Sequence, residues 1–239
     1  MTWAVVMGAS SPIGAACALR LALNGNDVVL QYLRHEREAL ELAKTVEEIG
    51  VSPHVIRHRL DREGDTQSFC EEVQSFTAEV DALVVASAAG VMRPIDSLTA
   101  HHISWTMQAS AIPLVVATNL LKPKAVVAIS SAGSTRVVNY YAAIGMAKAA
   151  LEAAVRYLAV ECAPHCRVNA ISAGLVKTSA ARLLPDYLRL EAKTIAETPM
   201  ARLIRESDIA ELTAFLLSSK AEMITGAIIP LDGGYGLRW

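Results

Sequence analysis

Short runs of apolar, β-branched residues alternate with longer helical patterns along the whole chain, and this alternation constrains the fold more than any other feature. The strand candidates are 3–7, 28–32, 54–58, 82–86, 125–130, 167–171 and 227–231. Helical stretches lie between them at 13–23, 36–49, 66–76, 100–121, 138–163 and 208–217. The strand runs are continuously apolar rather than alternating. That implies burial on both faces, hence a parallel sheet covered by helices. Strand–helix repetition with right-handed crossovers predicts an α/β fold: a doubly wound parallel sheet of about seven strands. At 239 residues the chain fits one such domain, residues 1–239. One irregular segment, 177–205, follows the sixth strand.

Composition narrows the functional classes. The residues are 53% apolar and the net charge is −2, which fills a core and gives no electrostatic reason to expect nucleic acid. The longest apolar stretch, 109–121, is broken by Pro113 and carries Asn119, so no membrane span is expected. The first apolar run meets glycine at once, unlike a signal peptide, and a cytoplasmic protein is expected. Cys17, Cys70, Cys162 and Cys166 form no disulfide framework, which suits free thiols in a reducing compartment. Cys162, His165 and Cys166 lack a fourth ligand nearby, so no metal site is expected.

The first strand runs into Gly8-Ala-Ser-Ser-Pro-Ile-Gly14 and then a helix. Gly8 permits a tight turn, Gly14 lets the helix pack on the sheet, and the amides at the helix start suit a pyrophosphate. Ser10 and Ser11 add hydroxyls, and Pro12 is tolerated as the first helical residue. The second strand ends at Gln31-Tyr-Leu-Arg34 with no acid to hold a ribose 2′-hydroxyl. Arg34 there leans toward a 2′-phosphate, hence NADP(H) over NAD(H), or is a solvated loop residue. Asp61, after the third strand, either meets the adenine or caps the next helix.

The run Tyr141-Ala-Ala-Ile-Gly-Met-Ala-Lys148 sets a phenol and an ammonium seven residues apart, almost two helical turns, with Ile144 between them. On a segment of small and apolar residues, this reads as a proton donor with its electrostatic partner, or as a helix start with a packed aromatic and a solvated lysine.

The chain resembles the short-chain dehydrogenases/reductases, and within them the enoyl-acyl-carrier-protein reductases, especially the NADPH-using subtype of Gram-positive bacteria. The resemblance covers essentially the whole chain. Its motifs are Ile129-Ser-Ser131, Tyr141-x6-Lys148, Ala149 to Ala159, Arg167-Val-Asn-Ala-Ile-Ser-Ala-Gly174, Thr178 and Asp232-Gly-Gly234. Ordinary members place tyrosine four residues before lysine, where this chain has Ile144; the longer spacing marks the enoyl reductases. The resemblance implies a Rossmann-like fold and hydride transfer from NADPH to an α,β-unsaturated thioester. Tyr141 would serve the developing enolate, Lys148 the nicotinamide ribose, Thr178 the carboxamide, and Ser131 either the thioester carbonyl or the strand end. Cofactor contacts would come from Gly8, Ser10, Ser11, Ile13, Gly14, Arg34, Asp61, Gly90, Lys148, Gly174, Val176 and Thr178.

Several positions depart from the family pattern. Met7 and Pro12 alter the glycine loop, and Ser87-Ala-Ala-Gly90 replaces an Asn-Asn-Ala-Gly run. Ser131 stands where many enoyl reductases have a second tyrosine, and Ser110 where the family has a structural asparagine. Tyr140 is expected to pack. The 177–205 segment matches the family's substrate lid: Leu183, Leu184, Tyr187, Leu188 and Ile195 would line an acyl tunnel. Arg182, Arg189 and Lys193 would meet an acidic carrier protein or form a solvated edge. A homotetramer, or else a dimer, is expected through helices 100–121 and 138–163, whose small residues Ala142, Gly145, Ala149 and Ala153 permit close approach. Two other functions compete: a carbonyl (3-oxoacyl-type) reductase, and a redox-inactive scaffold binding a nucleotide or acyl ligand.

Overall fold

The computed structural model describes residues 2–87 and 89–237; Ala88, within the run that replaces Asn-Asn-Ala-Gly, lies outside the described residues. Seven strands, β1 (Trp3–Met7), β2 (Asp27–Tyr32), β3 (Pro53–Arg57), β4 (Ala82–Val85), β5 (Ala125–Ser131), β6 (Arg167–Ala173) and β7 (Ile228–Leu231), form one sheet. Their order is β3-β2-β1-β4-β5-β6-β7 and every pair is parallel. Successive side chains of a strand point to opposite faces. Val5, Met7, Val29, Leu83 and Val168 therefore join one core, and Ala4, Val6, Val28, Val84 and Ile171 the other.

Helices α1 (Pro12–Leu23), α2 (Glu36–Ile49) and α8 (Glu206–Leu217) cover the second face. The first is covered by α3 (Asp65–Phe76), α5 (Ile112–Leu121) and α6 (Ala142–Glu161). Along α6, Ala143, Ala147, Leu151 and Val155 recur every four residues and are buried, which docks this long helix on the sheet.

Two boundaries differ from the sequence pattern. Residues 100–121 form two helices, α4 (Ala100–Ser110) and α5, which meet at Ala111. Pro113 is the second residue of α5; it supplies no N–H and its ring clashes with the preceding turn, so one continuous helix cannot form. At 138–163 the helix begins only at Ala142, because Tyr140 is left-handed with φ +63° and Tyr141 sits at the cap.

The winding reverses between β1 and β4, and in such sheets ligands bind at the carboxyl ends of the strands beside that switch point. Ser11 caps α1 there by accepting from Gly14 N at 3.0 Å, a contact worth about 1 kcal/mol. A Cβ on Gly14 would sit 2.1 Å from the Gly8 carbonyl oxygen, so only glycine lets α1 start this close to the loop. The 177–205 segment is held at its base by a bridge between Val176 and Ile204 and contains α7 (Tyr187–Glu197). Among the described residues, no helix is long and apolar enough to cross a membrane.

Candidate active site

At the β1 end, Gly8 turns with φ +84° and its N–H donates to Gln31 Oε1 at 2.8 Å. Gln31 Nε2 donates in turn to the His58 carbonyl at 2.6 Å, so one buried amide ties together the exits of β1, β2 and β3. Ser11 Oγ donates to the Gly8 carbonyl and Ser10 Oγ to the Arg34 carbonyl, at 2.8 and 3.0 Å. Ile13 is the second residue of α1, where the N–H has no intrahelical partner. Against this loop lies Ser87: a Cβ on Gly8 would come within 2.7 Å of its N, and its hydroxyl is buried with no hydrogen-bond partner among the described residues. An orphaned hydroxyl beside a glycine cradle and a helix N-terminus suits an anionic nucleotide. Gly8, Ser10, Ser11, Ile13 and Gly14 are the residues that would hold its pyrophosphate.

Arg34 is exposed and makes no ion pair among the described residues, which leaves its charge available. Asp61 does not cap the next helix, whose N-cap is Gly64. Its carboxylate instead accepts from Arg59 Nε and Nη2 at 3.0 Å each and from Trp105 Nε1 at 3.1 Å. A cavity of about 360 Å³ opens beside it, lined by Arg59, Arg62, His101 and Trp105.

The carboxyl end of β5 gathers the chemical groups. Lys148 is 4% exposed and donates from Nζ to the Ile129 carbonyl at 2.6 Å. Burial pushes its ammonium down from 10.5 to about 8, with the Glu152 carboxylate acting in the opposite direction. Tyr141, at the N-cap of α6, reaches the same strand end. Burial raises its phenol above the usual range, and the neighbouring Ser131 hydroxyl pulls it back down. Ser131 also accepts from Gly133 N at 3.3 Å, so it closes the turn and faces the phenol at once. A Cβ on Gly133 would meet the Tyr141 ring at 2.6 Å; the bare glycine is what lets the ring lie against this turn.

Ile144 lies one helical turn before Lys148 on α6. It is buried against Gly90, where a Cβ would meet Ile144 Cγ1 at 2.3 Å. The loop bearing Gly90 is held by Ser110 Oγ, which donates to the Ala89 carbonyl at 3.1 Å, and by Thr106 Oγ1, which accepts from Val91 N at 3.4 Å. On the β6 side, Gly174 N donates to the Leu231 carbonyl at 2.9 Å and Thr178 Oγ1 accepts from Ala181 N at 3.1 Å.

A family model described as enoyl-(acyl carrier protein) reductase matches residues 8–236. The chain belongs to the enoyl-reductase-like branch of the short-chain dehydrogenases/reductases. A Bacillus subtilis (strain 168) protein named uncharacterized oxidoreductase YmfI is 32% identical over 97% of this chain and 98% of its own length. The 1-cyclohexenylcarbonyl-CoA reductase of Streptomyces collinus is 31% identical over 98% of this chain and 86% of its own. The solved enoyl-[acyl-carrier-protein] reductase (NADH) of Aquifex aeolicus VF5 superposes with a TM-score of 0.88 at 26% identity, covering 99% of this chain and 97% of that one.

The 177–205 segment has a cavity of its own. Leu184, Tyr187, Leu188, Lys177, Arg182 and Glu191 line about 640 Å³, and every wall residue falls within 177–191. Tyr187 is buried, and its hydroxyl has no hydrogen-bond partner among the described residues. Leu183, 75% exposed, stands apart from these walls, and Ile195 is also exposed. Tyr140 is 41% exposed rather than packed, because its left-handed backbone turns it outward. Gln31 and Gly133 carry contacts that the motifs do not mark. A polar residue inside an apolar strand was the available signal for the first; the second has none short of the fold.

Lys148 links stability to pH. Its unfolded value is near 10.5 and its folded value about 8, so between these the unfolded chain binds more protons and stability rises with pH. Below about 8 both states carry the proton and the burial cost is fully present. Urea titrations are therefore expected to show Lys148→Met gaining most, relative to wild type, at pH 7, with the gain shrinking from about pH 8 to 10.5. A difference that stays constant over that range contradicts a buried, titrating ammonium.

Proposed function

We propose that the protein reduces enoyl thioesters with NADPH, in fatty-acid synthesis or in tailoring a related acyl chain carried on an acyl carrier protein. The observation that carries this reading is the pairing of Ile144, buried against Gly90, with Tyr141 brought to the end of β5. No phenol is available at the ordinary carbonyl-reductase position. The relative named for reducing a cyclohexenylcarbonyl-CoA supports an α,β-unsaturated thioester as the substrate class.

When bound, NADPH supplies hydride to the β-carbon of the substrate. The chain's own residues serve the charge that this leaves on the thioester oxygen. Tyr141 donates its phenolic hydrogen there, and a phenol held protonated by burial is a donor and not an anion at neutral pH. Ser131, already beside the phenol, supplies a second hydroxyl to the carbonyl in place of a second tyrosine. Lys148 holds the nicotinamide ribose hydroxyls and keeps a fixed positive charge below about pH 8. Gly174, Val176 and Thr178 line the carboxamide side, Gly90 the loop after β4, and Asp61 the adenine side. Leu184 and Tyr187, which line the cavity of the 177–205 segment, meet the acyl chain.

A crotonyl thioester assayed at the nicotinamide absorbance is expected to be consumed. Tyr141→Phe is expected to lose turnover by roughly 10²–10⁴-fold while NADPH still raises Tm. An unchanged rate in that variant sinks the assigned role, and a wild type with neither turnover nor stabilisation favours a non-catalytic scaffold. Arg34 supports NADPH over NADH through its unpaired charge. Arg34→Ala is expected to weaken NADPH by roughly tenfold or more and NADH little, since a charged hydrogen bond to a 2′-phosphate is worth about 1.5–3 kcal/mol. Equal losses for the two cofactors contradict it.

The assembly we propose is a homotetramer in the cytoplasm, where the four free thiols stay reduced. Exposed Met146, Tyr157 and Val160 give α6 an apolar outer face, beside Ala149. Gly145, by contrast, is buried within the subunit, where its N–H donates to the Tyr141 carbonyl at 2.7 Å. A light-scattering mass of one chain contradicts the tetramer.

A further inference from the structure

Glu152 is a buried acid that the proposed reaction does not use. It lies on α6 one turn beyond Lys148 and is 6% exposed. Its Oε1 accepts from Ser130 Oγ and from Ser134 Oγ, each at 2.6 Å. These two serines bracket Ser131 and Gly133, the residues that lie against the Tyr141 phenol and ring. The carboxylate thus pins both ends of the turn on which the phenol rests. Sequestering an ionised carboxylate is costly unless donors and a counter-charge offset it.

The counter-charge is close at hand. The two side chains do not meet as an ion pair within 4.0 Å among the described residues, so they interact through the low-dielectric interior. The elements packed on α6 offer Lys148 no other anion. β5, α5 and the turn Ala132–Ser134 contain no ionisable side chain; α4 brings His101 and His102 in its first turn, and β6 brings Arg167 at its far end. The Tyr141 phenol lies at the N-cap of α6, and on the helix itself Arg156, one turn beyond Glu152, is exposed and makes no ion pair with it among the described residues; Tyr157 and Glu161 lie farther along. Hydrogen bonding to two hydroxyls would be met by a glutamine. Lys148 is the buried cation within one turn of the negative charge.

We propose that Glu152 is a positioning residue for the Tyr141–Lys148 pair, locking the Ser130–Ser134 turn beneath the phenol and holding the lysine in its charged form. This rests on the enoyl-reductase reading for its catalytic consequence, but not for its physical content.

The test is Glu152→Gln, which keeps the shape and the acceptor and removes the charge. In protein labelled with ¹³C at the lysine ε-carbons, with the Lys148 signal assigned by its absence in Lys148→Met, the wild-type resonance titrates near pH 8 without cofactor or substrate. In Glu152→Gln its midpoint falls by roughly one to two pH units, the effect of one charge a few ångströms away in a protein interior. The basic limb of kcat/KM falls with it and KM changes little. Glu152→Asp, which restores the charge, returns the midpoint toward wild type. An unmoved titration in Glu152→Gln overturns the proposal. Should that variant not fold, Ser130→Ala/Ser134→Ala keeps the carboxylate and frees the turn: kcat drops roughly tenfold or more while the Lys148 midpoint holds. An unchanged kcat there overturns the proposal. Wild type without turnover overturns the reductase reading alone, because the titration needs no reaction.

Discussion

A lysine ammonium sealed into the protein with a backbone carbonyl as its hydrogen-bond acceptor is the contact on which this site depends. Lys148 reaches the Ile129 carbonyl from α6, and that bond fixes the helix against the carboxyl end of β5. Everything chemical is then referred to the same strand end. Ser130 and Ser131 follow Ile129 directly, the turn after them seats the Tyr141 ring on Gly133, and Glu152 closes the arrangement from beneath. The ammonium itself is held near the edge of its charged range, so the cation at this strand end is one that the fold bears at a cost.

The spacing of seven follows from packing. At the position nearer the lysine, Ile144 fills the space over Gly90, whose own hypothetical Cβ would also meet Thr106, and offers no phenol there. Moving the tyrosine to the N-cap takes it out of the helix proper and lets its ring lie flat on a glycine turn. The left-handed Tyr140 immediately before it bends the chain into that cap, at the strain expected of a bulky residue with positive φ. The displaced Tyr141 is a local rearrangement on an unchanged sheet, and in the proposed reaction it is the donor to the thioester oxygen.

Much of this was legible in the residues. Continuous apolar strands gave the parallel sheet and its seven members, because burial on both faces leaves no room for polar alternation. The glycine loop and Pro12 as the first residue of α1 followed from local chemistry alone. What escaped were features set by tertiary contact. Pro113 could be read as a kink within one helix, yet the fold ends α4 at Ser110 and starts α5 anew. Asp61 carried two readings, and the guanidinium and indole that occupy it come from Arg59 and from Trp105 forty-four residues away. Nothing in the residues around Glu152 marks its partners, because Ser130 and Ser134 reach it only through the fold. Ser110 stands where the family has an asparagine; what the fold adds is that it holds the loop after β4 through the Ala89 carbonyl, with Thr106 accepting from Val91 N.

The claim that Ile144 and Tyr141 together select a carbon–carbon double bond is tested most directly by isotope transfer in competition. The protein is given NADPH deuterated at the transferable position of the nicotinamide, with equal amounts of an enoyl thioester and the matching 3-oxoacyl thioester. Mass spectrometry and NMR then locate the label. Deuterium at the β-carbon of the saturated thioester, with the 3-oxoacyl compound recovered unchanged, is the expected result. Deuterium on the carbinol carbon of a 3-hydroxyacyl thioester, with the enoyl compound untouched, would contradict it.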